Sequence, residues 1–569
     1  MKASDYIADF LVAQGVTHVF EMVGGMITHM LDSLHQRDAV RIVSLHHEQS
    51  AAFAADAYGR MTGVPGVAMA TSGPGAVNLL TGIGSCYFDS SPAVFITGQV
   101  NTYELKGDRP VRQMGFQETD IVSMARPITK AAWQARSADE IPELLRKAFE
   151  TARSGRPGPV LLDVPMDVQR MQTRDVSVEP APVRCKSGRE VDHTAVDDVL
   201  CSLRKSRRPL VLAGGGVRSS RAAAELRLFA EMTGVPVVNS LMAVDALAHD
   251  DPLRAGLIGT YGNRWANLAL GKSDFILVLG SRLDVRQTGS DIASFKADRI
   301  IYHVDCDEPE TNNRVGGCRA VICDLKDFLT QAVAAAHPHG FVNRKDWLDE
   351  IAGLRHTYPD TVELKTDGIN PNVFMHQLSE VSRHAAAYVV DVGQNQMWAA
   401  QSLEVGAKQR FISSGGMGSM GFSLPAAIGV SCVSPCEPVV MIAGDGGFQC
   451  NIQELQSVAH HGLPIKMVVL NNGCLGMVRQ FQESYFENRC QSTVIGYSAP
   501  DFARVAQGYG IPSATVRYEE EVSRGLELLW KHPDEPALLQ VMVDQRANAY
   551  PKTAYGCPIT EMEPALPVV

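Results

Sequence analysis

The sequence predicts an α/β fold built as three doubly wound parallel-sheet domains. Short runs rich in Val, Ile and Leu alternate with helical stretches throughout the 569 residues, which is the pattern of strands joined by crossover helices. That length accommodates three domains of ordinary size. Two polar stretches interrupt the alternation. One, 165–190, is rich in Pro, Arg and Ser; the other, 336–370, has Pro338, Pro359 and Pro371 in or beside it. Expected domains are therefore 1–170, 190–335 and 365–550, followed by a proline-bearing, irregular C-terminal arm at 551–569.

Strands of the first domain are expected at 41–45, 67–70, 93–97 and 160–164. Those of the second are expected at 210–213, 275–279 and 300–304, and those of the third at 388–391, 439–443 and 465–470. Composition fits a globular protein, with 45% hydrophobic and 20% charged residues. A net charge of −11 argues against a nucleic-acid partner and against an anionic membrane surface. The twelve cysteines are scattered, with no Cys-x-x-Cys, as expected of thiols in a reducing compartment. The N-terminus lacks the apolar run of a signal peptide, and no stretch approaches the roughly 18 apolar residues of a membrane span. A cytoplasmic protein is expected.

The most specific motif lies in the third domain. The strand at 439–443 runs into Gly444-Asp445-Gly446-Gly447, a helix is expected at 452–461, and the strand at 465–470 ends in Asn471-Asn472. Both loops then meet at the C-terminal edge of a parallel sheet, where such sheets bind ligands. The residue types suit thiamine diphosphate held through Mg²⁺. A hard cation takes oxygen ligands and keeps phosphate oxygens as partners. Asp445 offers a carboxylate, Asn472 a side-chain carbonyl and Cys474 its backbone carbonyl. Gly446, Gly447 and Gly476 allow backbone N–H groups to approach phosphates without a Cβ. A lone Gly-Asp-Gly is usually a turn; the 24 residues between Gly446 and Asn471, read as one helix and one strand, make it specific.

In the second domain, the strand at 210–213 precedes Gly214-Gly215-Gly216 and a helix, with Ser219 where a dinucleotide fingerprint has its third glycine. A plain tight turn explains this segment equally well.

Long segments in order resemble the acetohydroxyacid (acetolactate) synthase family. They include His47-Glu48-Gln49, Ala70-Thr71-Ser72-Gly73-Pro74-Gly75-Ala76, Gly115-Phe116-Gln117-Glu118-Thr119, Asp391-Val392-Gly393-Gln394-Asn395, Ser413-Ser414-Gly415-Gly416-Met417-Gly418-Ser419-Met420 and Asn471-Asn472-Gly473-Cys474-Leu475-Gly476-Met477. The resemblance implies pyrimidine-binding, central Rossmann-like and diphosphate-binding domains. It implies that Glu48 bonds the aminopyrimidine N1′ of thiamine diphosphate, a role that a buried glutamate would suit. It implies further that Gln117 lies near the reacting carbon, that Gly25 lines the pocket and that Met420 wedges the cofactor into a bent shape. By the same resemblance, Gly418 would offer its carbonyl to the 4′-amino group, and Gln394, Asn395, Gly476 and Met477 would belong to the diphosphate side. Arg156, Gly280, Arg282, Asp284, Arg286, Asp305 and Asp324 resemble, with the glycine loop, the family's FAD-binding segments, the flavin having a structural role there. The resemblance also implies a homodimer or homotetramer as the active unit, with the site between subunits.

The implied reaction decarboxylates pyruvate and transfers the two-carbon hydroxyethyl unit to an acceptor carbonyl. The chain departs from the family on the acceptor side. Phe481 stands where tryptophan is usual, and Met22-Val23 replace Tyr-Pro before Gly24-Gly25. A second acceptor class therefore stays open, a ketone or nucleotide-linked keto-sugar of branched-chain deoxysugar synthesis. A simple 2-oxoacid decarboxylase fits less well. So does a non-catalytic subunit, because Glu48 and the metal ligands are retained.

Overall fold

Three six-stranded sheets, each wholly parallel, organise the computed structural model, which describes residues 1–174, 177–179, 190–336, 341 and 343–566. The first sheet comprises β1 (His18–Met22), β2 (Arg41–Ser44), β3 (Gly66–Ala70), β4 (Ala93–Gln99), β5 (Ala131–Gln134) and β6 (Pro159–Pro165). The second comprises β7 (Pro209–Ala213), β8 (Val237–Asn239), β9 (Arg254–Leu257), β10 (Phe275–Leu279), β11 (Ile300–Asp305) and β12 (Arg319–Ile322). The third comprises β13 (Ala387–Val390), β14 (Arg410–Ser413), β15 (Val439–Gly444), β16 (Ile465–Asn471), β17 (Ser513–Val516) and β18 (Ala537–Met542).

Topology separates the sheets by kind. The first runs β2-β1-β3-β4-β6-β5, and the third repeats that order as β14-β13-β15-β16-β18-β17. The second runs β12-β11-β10-β7-β8-β9, which is the doubly wound order 3-2-1-4-5-6 of dinucleotide-binding folds read from its other edge. Central strands such as β3 and β10 are buried along their whole length, so they are continuously apolar rather than alternating; β16 is equally buried but carries Lys466, whose Nζ donates to the carbonyls of His532 (2.6 Å) and Glu535 (2.5 Å).

One apolar core joins the first and third sheets. At its centre the helix Glu48–Thr62 packs on the helix Ser423–Val433. Both are rich in Ala, Ser and Gly, which lets their backbones approach closely. A Cβ on Gly429 would overlap the Ala54 carbonyl oxygen.

Three expectations need correction. The polar stretch at 336–370 carries a helix, Lys345–Thr357. Trp347 anchors it, buried and donating Nε1–H to the Pro209 carbonyl (3.0 Å). The C-terminal arm is not wholly irregular: β19 (Lys552–Thr553) pairs antiparallel with β20 (Met562–Glu563). The arm docks on the second domain, with Thr553 N donating to the Thr260 carbonyl (2.7 Å) and Arg264 to the carbonyls of Met562 (3.2 Å) and Pro564 (2.8 Å). The helix expected at 452–461 is split into a 3₁₀ turn, Ile452–Glu454, and a helix, Leu455–His461. The stretch at 165–190 begins with a short helix, Met166–Arg170; its residues 175–176 and 180–189 lie outside the described residues. No described helix is long and apolar enough to cross a membrane.

Candidate active site

Adjacent strand ends create the site on the third sheet. β15 and β16 pair with Gly444 opposite Leu470, so Asp445 and Asn472 emerge side by side. Asp445 is 2% exposed and opens the short helix Asp445–Cys450. Burial pushes its carboxyl up to about 6. Its Oδ2 has no hydrogen-bond partner, and the Tyr497 hydroxyl lies against it without a bond of good geometry. A buried carboxylate oxygen left unpartnered is costly; a cation at this point would reverse that cost. Asn472 Oδ1 accepts from Cys474 N (3.3 Å), and its Nδ2 donates to Gln394 Oε1 (3.1 Å). Gln394 in turn donates to Gln480 Oε1 (3.2 Å). The Cys474 thiol is buried and pushed up to about 11, and it donates to the Gln545 carbonyl (3.6 Å). Among the described residues no cluster of His, Cys, Asp and Glu forms a metal site. A carboxylate with two amide-type oxygens suits Mg²⁺ rather than zinc.

Glycines leave room around these groups. A Cβ on Gly476 would overlap Gln394 Oε1, one on Gly447 would overlap Asp391, and one on Gly446 would overlap Leu475 and stand 3.2 Å from Met420 Cε. Met420 therefore reaches over Gly446. Asp391, fully buried, accepts from Gly421 N (3.0 Å) and Ser423 N (2.8 Å) and so fixes the segment bearing Gly418 and Met420. Asn395 donates to the Asp391 carbonyl (2.7 Å) and turns its Oδ1 toward Gly444. Met477 lies in the first turn of the helix Gly476–Tyr485. Phe481 sits on that helix's outer face, 54% exposed, its ring 4.7 Å from Tyr485 and 5.9 Å from Phe486.

Glu48, Gln117 and Gly25 gather at the C-terminal edge of the first sheet. Glu48 begins the helix Glu48–Thr62, which His47 caps by accepting from Gln49 N (3.0 Å). Glu48 is half-buried in this chain rather than fully buried. Its Oε2 accepts from Asn78 Nδ2 (2.9 Å). Gln117 has φ +66°, a strained backbone for a non-glycine residue. Its loop is cinched by the Glu118 carboxylate, which accepts from Lys106 N (2.6 Å) and Met114 N (2.8 Å). Gly25 opens a 3₁₀ turn, with nothing within 4 Å of where its Cβ would be. Among the described residues no hydrogen bond or ion pair joins Glu48 to the Asp445 cluster. The nearest link is Asn451, which donates to Gln49 Oε1 (3.1 Å) and to the Gly421 carbonyl (2.8 Å).

A cavity of about 930 Å³ lies where the second domain meets the other two. Arg156, Gly215, Gly216, Gly280, Arg282, Asp284, Arg286, Asp305 and Asp324 all line it. Gly214 does not; it serves the close approach of two strand ends, since a Cβ there would overlap the Gly280 carbonyl. Asp284 and Asp324 are partly committed as caps, Asp284 accepting from Arg286 N (2.9 Å) and Asp324 from Lys326 N (2.8 Å). Burial pushes Asp305 up to about 6. Arg156 pairs with Glu310 (2.5 Å) and Asp307 (3.2 Å). The sequence reading missed Arg60, Asp89, Arg218 and Arg410, which also line the cavity; they are spread over all three domains and share no local pattern.

Fold and site together define a thiamine pyrophosphate enzyme. Residues 1–124 match the family described as thiamine pyrophosphate enzyme, N-terminal TPP binding domain; 196–332 match its central domain and 391–541 its C-terminal TPP binding domain. Similarity to curated proteins extends over almost the whole chain. The probable acetolactate synthase large subunit of Methanocaldococcus jannaschii is 36% identical, over 99% of this chain and 95% of its own. Acetolactate synthase isozyme 2 large subunit of Escherichia coli K12 is 36% identical, over 99% of both chains. The acetolactate synthase large subunit of Lactococcus lactis is 34% identical, over 99% of this chain and 96% of its own. The chain belongs to the acetolactate synthase family. These relatives do not favour the keto-sugar acceptor.

Proposed function

We propose that the chain is a cytoplasmic thiamine diphosphate- and Mg²⁺-dependent carboligase. It decarboxylates pyruvate and joins the remaining two-carbon unit to an acceptor carbonyl, a second pyruvate giving 2-acetolactate. The observation that carries this reading is the unpartnered, buried Asp445 Oδ2 beside a cradle in which Gly446, Gly447 and Gly476 admit no side chain. When bound, thiamine diphosphate supplies a thiazolium carbon that adds to the oxo group of pyruvate and takes up the electron pair released with CO₂.

The protein's part is geometry and proton traffic. Asp445, Asn472 and the Cys474 carbonyl would hold Mg²⁺ against the diphosphate, with Gln394, Asn395 and the N–H groups of Gly446, Gly447, Gly476 and Met477 on its other oxygens. Met420 would wedge between the two rings, and the Gly418 carbonyl would accept from the 4′-amino group. Glu48 of one subunit would bond the pyrimidine N1′ of the site completed by its partner, exchanging a proton there. Gln117 would hydrogen-bond the substrate, Gly25 would line the pocket, and Phe481 would bound the acceptor. This arrangement needs a homodimer at least, or a homotetramer.

The central cavity would hold FAD in a structural role. Its volume suits a large ligand, and its arginines suit a pyrophosphate. Gly215, Gly216 and Gly280 admit close backbone approach, and Asp305 faces the cavity near the end of β11, as suits a ribose contact.

The test is to supply labelled pyruvate to the purified protein, alone and with candidate acceptors. Doubly labelled acetolactate from pyruvate alone is expected. Acetaldehyde as the sole product would overturn the carboligase reading.

A further inference from the structure

Resting on the functional reading of Glu48, we infer that Asn78 is the positioning residue of that glutamate, holding Oε2 so that Oε1 is the working oxygen. Asn78 Nδ2 donates to Glu48 Oε2 at 2.9 Å. Among the described residues nothing donates to Oε1. A glutamate has several free torsions, and fixing one carboxylate oxygen removes most of that freedom before the reaction begins.

The segment 71–78, which ends in the short helix Pro74–Asn78, serves as a common reference for the whole first cluster. A Cβ on Gly75 would stand 3.1 Å from Glu48 Oε1 and 2.9 Å from Thr71 Cγ2, so only glycine leaves that oxygen clear. Gly73, at φ +67°, backs onto Gln117: its Cβ would lie 3.0 Å from Gln117 Cβ and 3.1 Å from the Gln117 carbonyl oxygen. Thr71 Oγ1 accepts from Met26 N (3.3 Å), next to Gly25. Residues 71–78 thus touch Glu48, Gln117 and the Gly25 turn at once. Asn78 is the one member of the segment 71–78 that binds a cluster side chain through a polar side-chain bond, which is why the positioning role falls to it. The bond is charge-assisted and is correspondingly stronger than a neutral one.

The experiment measures deuterium exchange at the thiazolium carbon of bound thiamine diphosphate in the holoenzyme. Asn78→Asp keeps the shape of the side chain but replaces the donor with an acceptor that repels Glu48. Exchange should slow about ten- to a hundredfold, while cofactor affinity stays within about twofold. Asn78→Ala, a second variant in case the aspartate disturbs folding, should slow it in the same direction. Added to Glu48→Gln, which should be slow by itself, Asn78→Asp should cause no further loss, since the two act as one unit. Wild-type exchange in both Asn78 variants alongside a slow Glu48→Gln would overturn the inference and leave the functional reading intact. Wild-type exchange in Glu48→Gln would overturn the role of Glu48 itself, and this inference with it.

Discussion

Asp445 and Phe481 show how differently single residues carry the proposed chemistry. Asp445 is buried, with one oxygen unpartnered, so removing it removes the only carboxylate among the three candidate ligands. Asp445→Ala should weaken Mg²⁺-dependent thiamine diphosphate binding about ten- to a hundredfold, the worth of one charge-assisted contact. Titration calorimetry at fixed Mg²⁺ would measure this, and an unchanged affinity would refute the assignment. Phe481 is more than half exposed and, among the described aromatic side chains, touches only Tyr485 and Phe486, so a larger ring can enter without repacking the core. Phe481→Trp should raise the preference for 2-oxobutanoate over pyruvate as acceptor about tenfold, the scale of one methylene contact in a pocket. Competition between the two acceptors reads this out, and an unaltered product ratio would remove Phe481 from acceptor selection. Asp445 stands out in the sequence because it lies in a glycine motif at a strand end, whereas Phe481 stands out only through the resemblance of its segment to a family in which tryptophan is usual there. Asn78 and Tyr497 were not legible. Asn78 meets Glu48 across 30 residues, Tyr497 meets Asp445 across about fifty, and neither spacing leaves a local period.

At the scale of elements, legibility followed apolar pattern. Strands β3, β10 and β15 announce themselves as continuous apolar runs, and β16 as a run broken at 465–470 by Lys466 alone. β1 was missed because Glu21 interrupts it, a carboxyl buried beside Ser44 and raised by that burial. The helix Lys345–Thr357 was missed because only Trp347, Leu348, Ile351 and Leu354 mark its buried face among polar neighbours. Where that helix leads into the third domain, His376 on the helix Pro371–Val381 bonds Asp360 (2.9 Å) and Glu404 (3.0 Å), and Ser402 also donates to Asp360. Burial works against charge on His376, but Asp360 and Glu404 outweigh it and hold its pKa above the ordinary value. Of the other groups nearby, burial with Arg254 and Arg355 holds His249 down at about 3, so it does not titrate in the same range. The folded state therefore binds the His376 proton more tightly than the unfolded one. Its stabilising contribution is complete below about 6.5 and is lost as pH rises through the raised folded value. Thermal midpoints of the wild type should fall across that window relative to His376→Gln, and parallel pH profiles would show that this cluster does not secure the junction.

Across the whole molecule, the kind of each domain was legible, but the strand orders and the contacts between domains were not. No segment reveals that the first and third sheets share one order, because order is set by which crossovers neighbour one another in space. Nor does any segment reveal the buried charges that tie the domains together. Arg60, on the helix Glu48–Thr62, bonds Asp56 (2.6 Å), Asp89 (2.9 Å) and the Ser413 carbonyl (2.8 Å). Burial opposes the charge on Arg60, but Asp56 and Asp89 more than offset it. Asp89 in turn accepts from Gly415 N (3.2 Å) and Gly416 N (2.6 Å), in the segment that leads to Gly418 and Met420. Arg410 donates to the Arg60 carbonyl (3.2 Å) and to Asp245 of the second domain (2.7 Å). One network thus spans all three domains along the wall of the central cavity. Asp89→Ala would leave two backbone N–H groups and part of the Arg60 guanidinium buried without partners. The first unfolding transition should lose about 3–5 kcal/mol, and bound thiamine diphosphate should dissociate more readily because Gly415 to Met420 would be less firmly held. Asp9→Ala, which breaks the part-exposed pair with Arg37, provides the control and should cost about 0–1 kcal/mol. Urea unfolding with and without the cofactor distinguishes the two: if Asp89→Ala costs no more than Asp9→Ala, the Arg60–Asp89 network does not hold the three domains together.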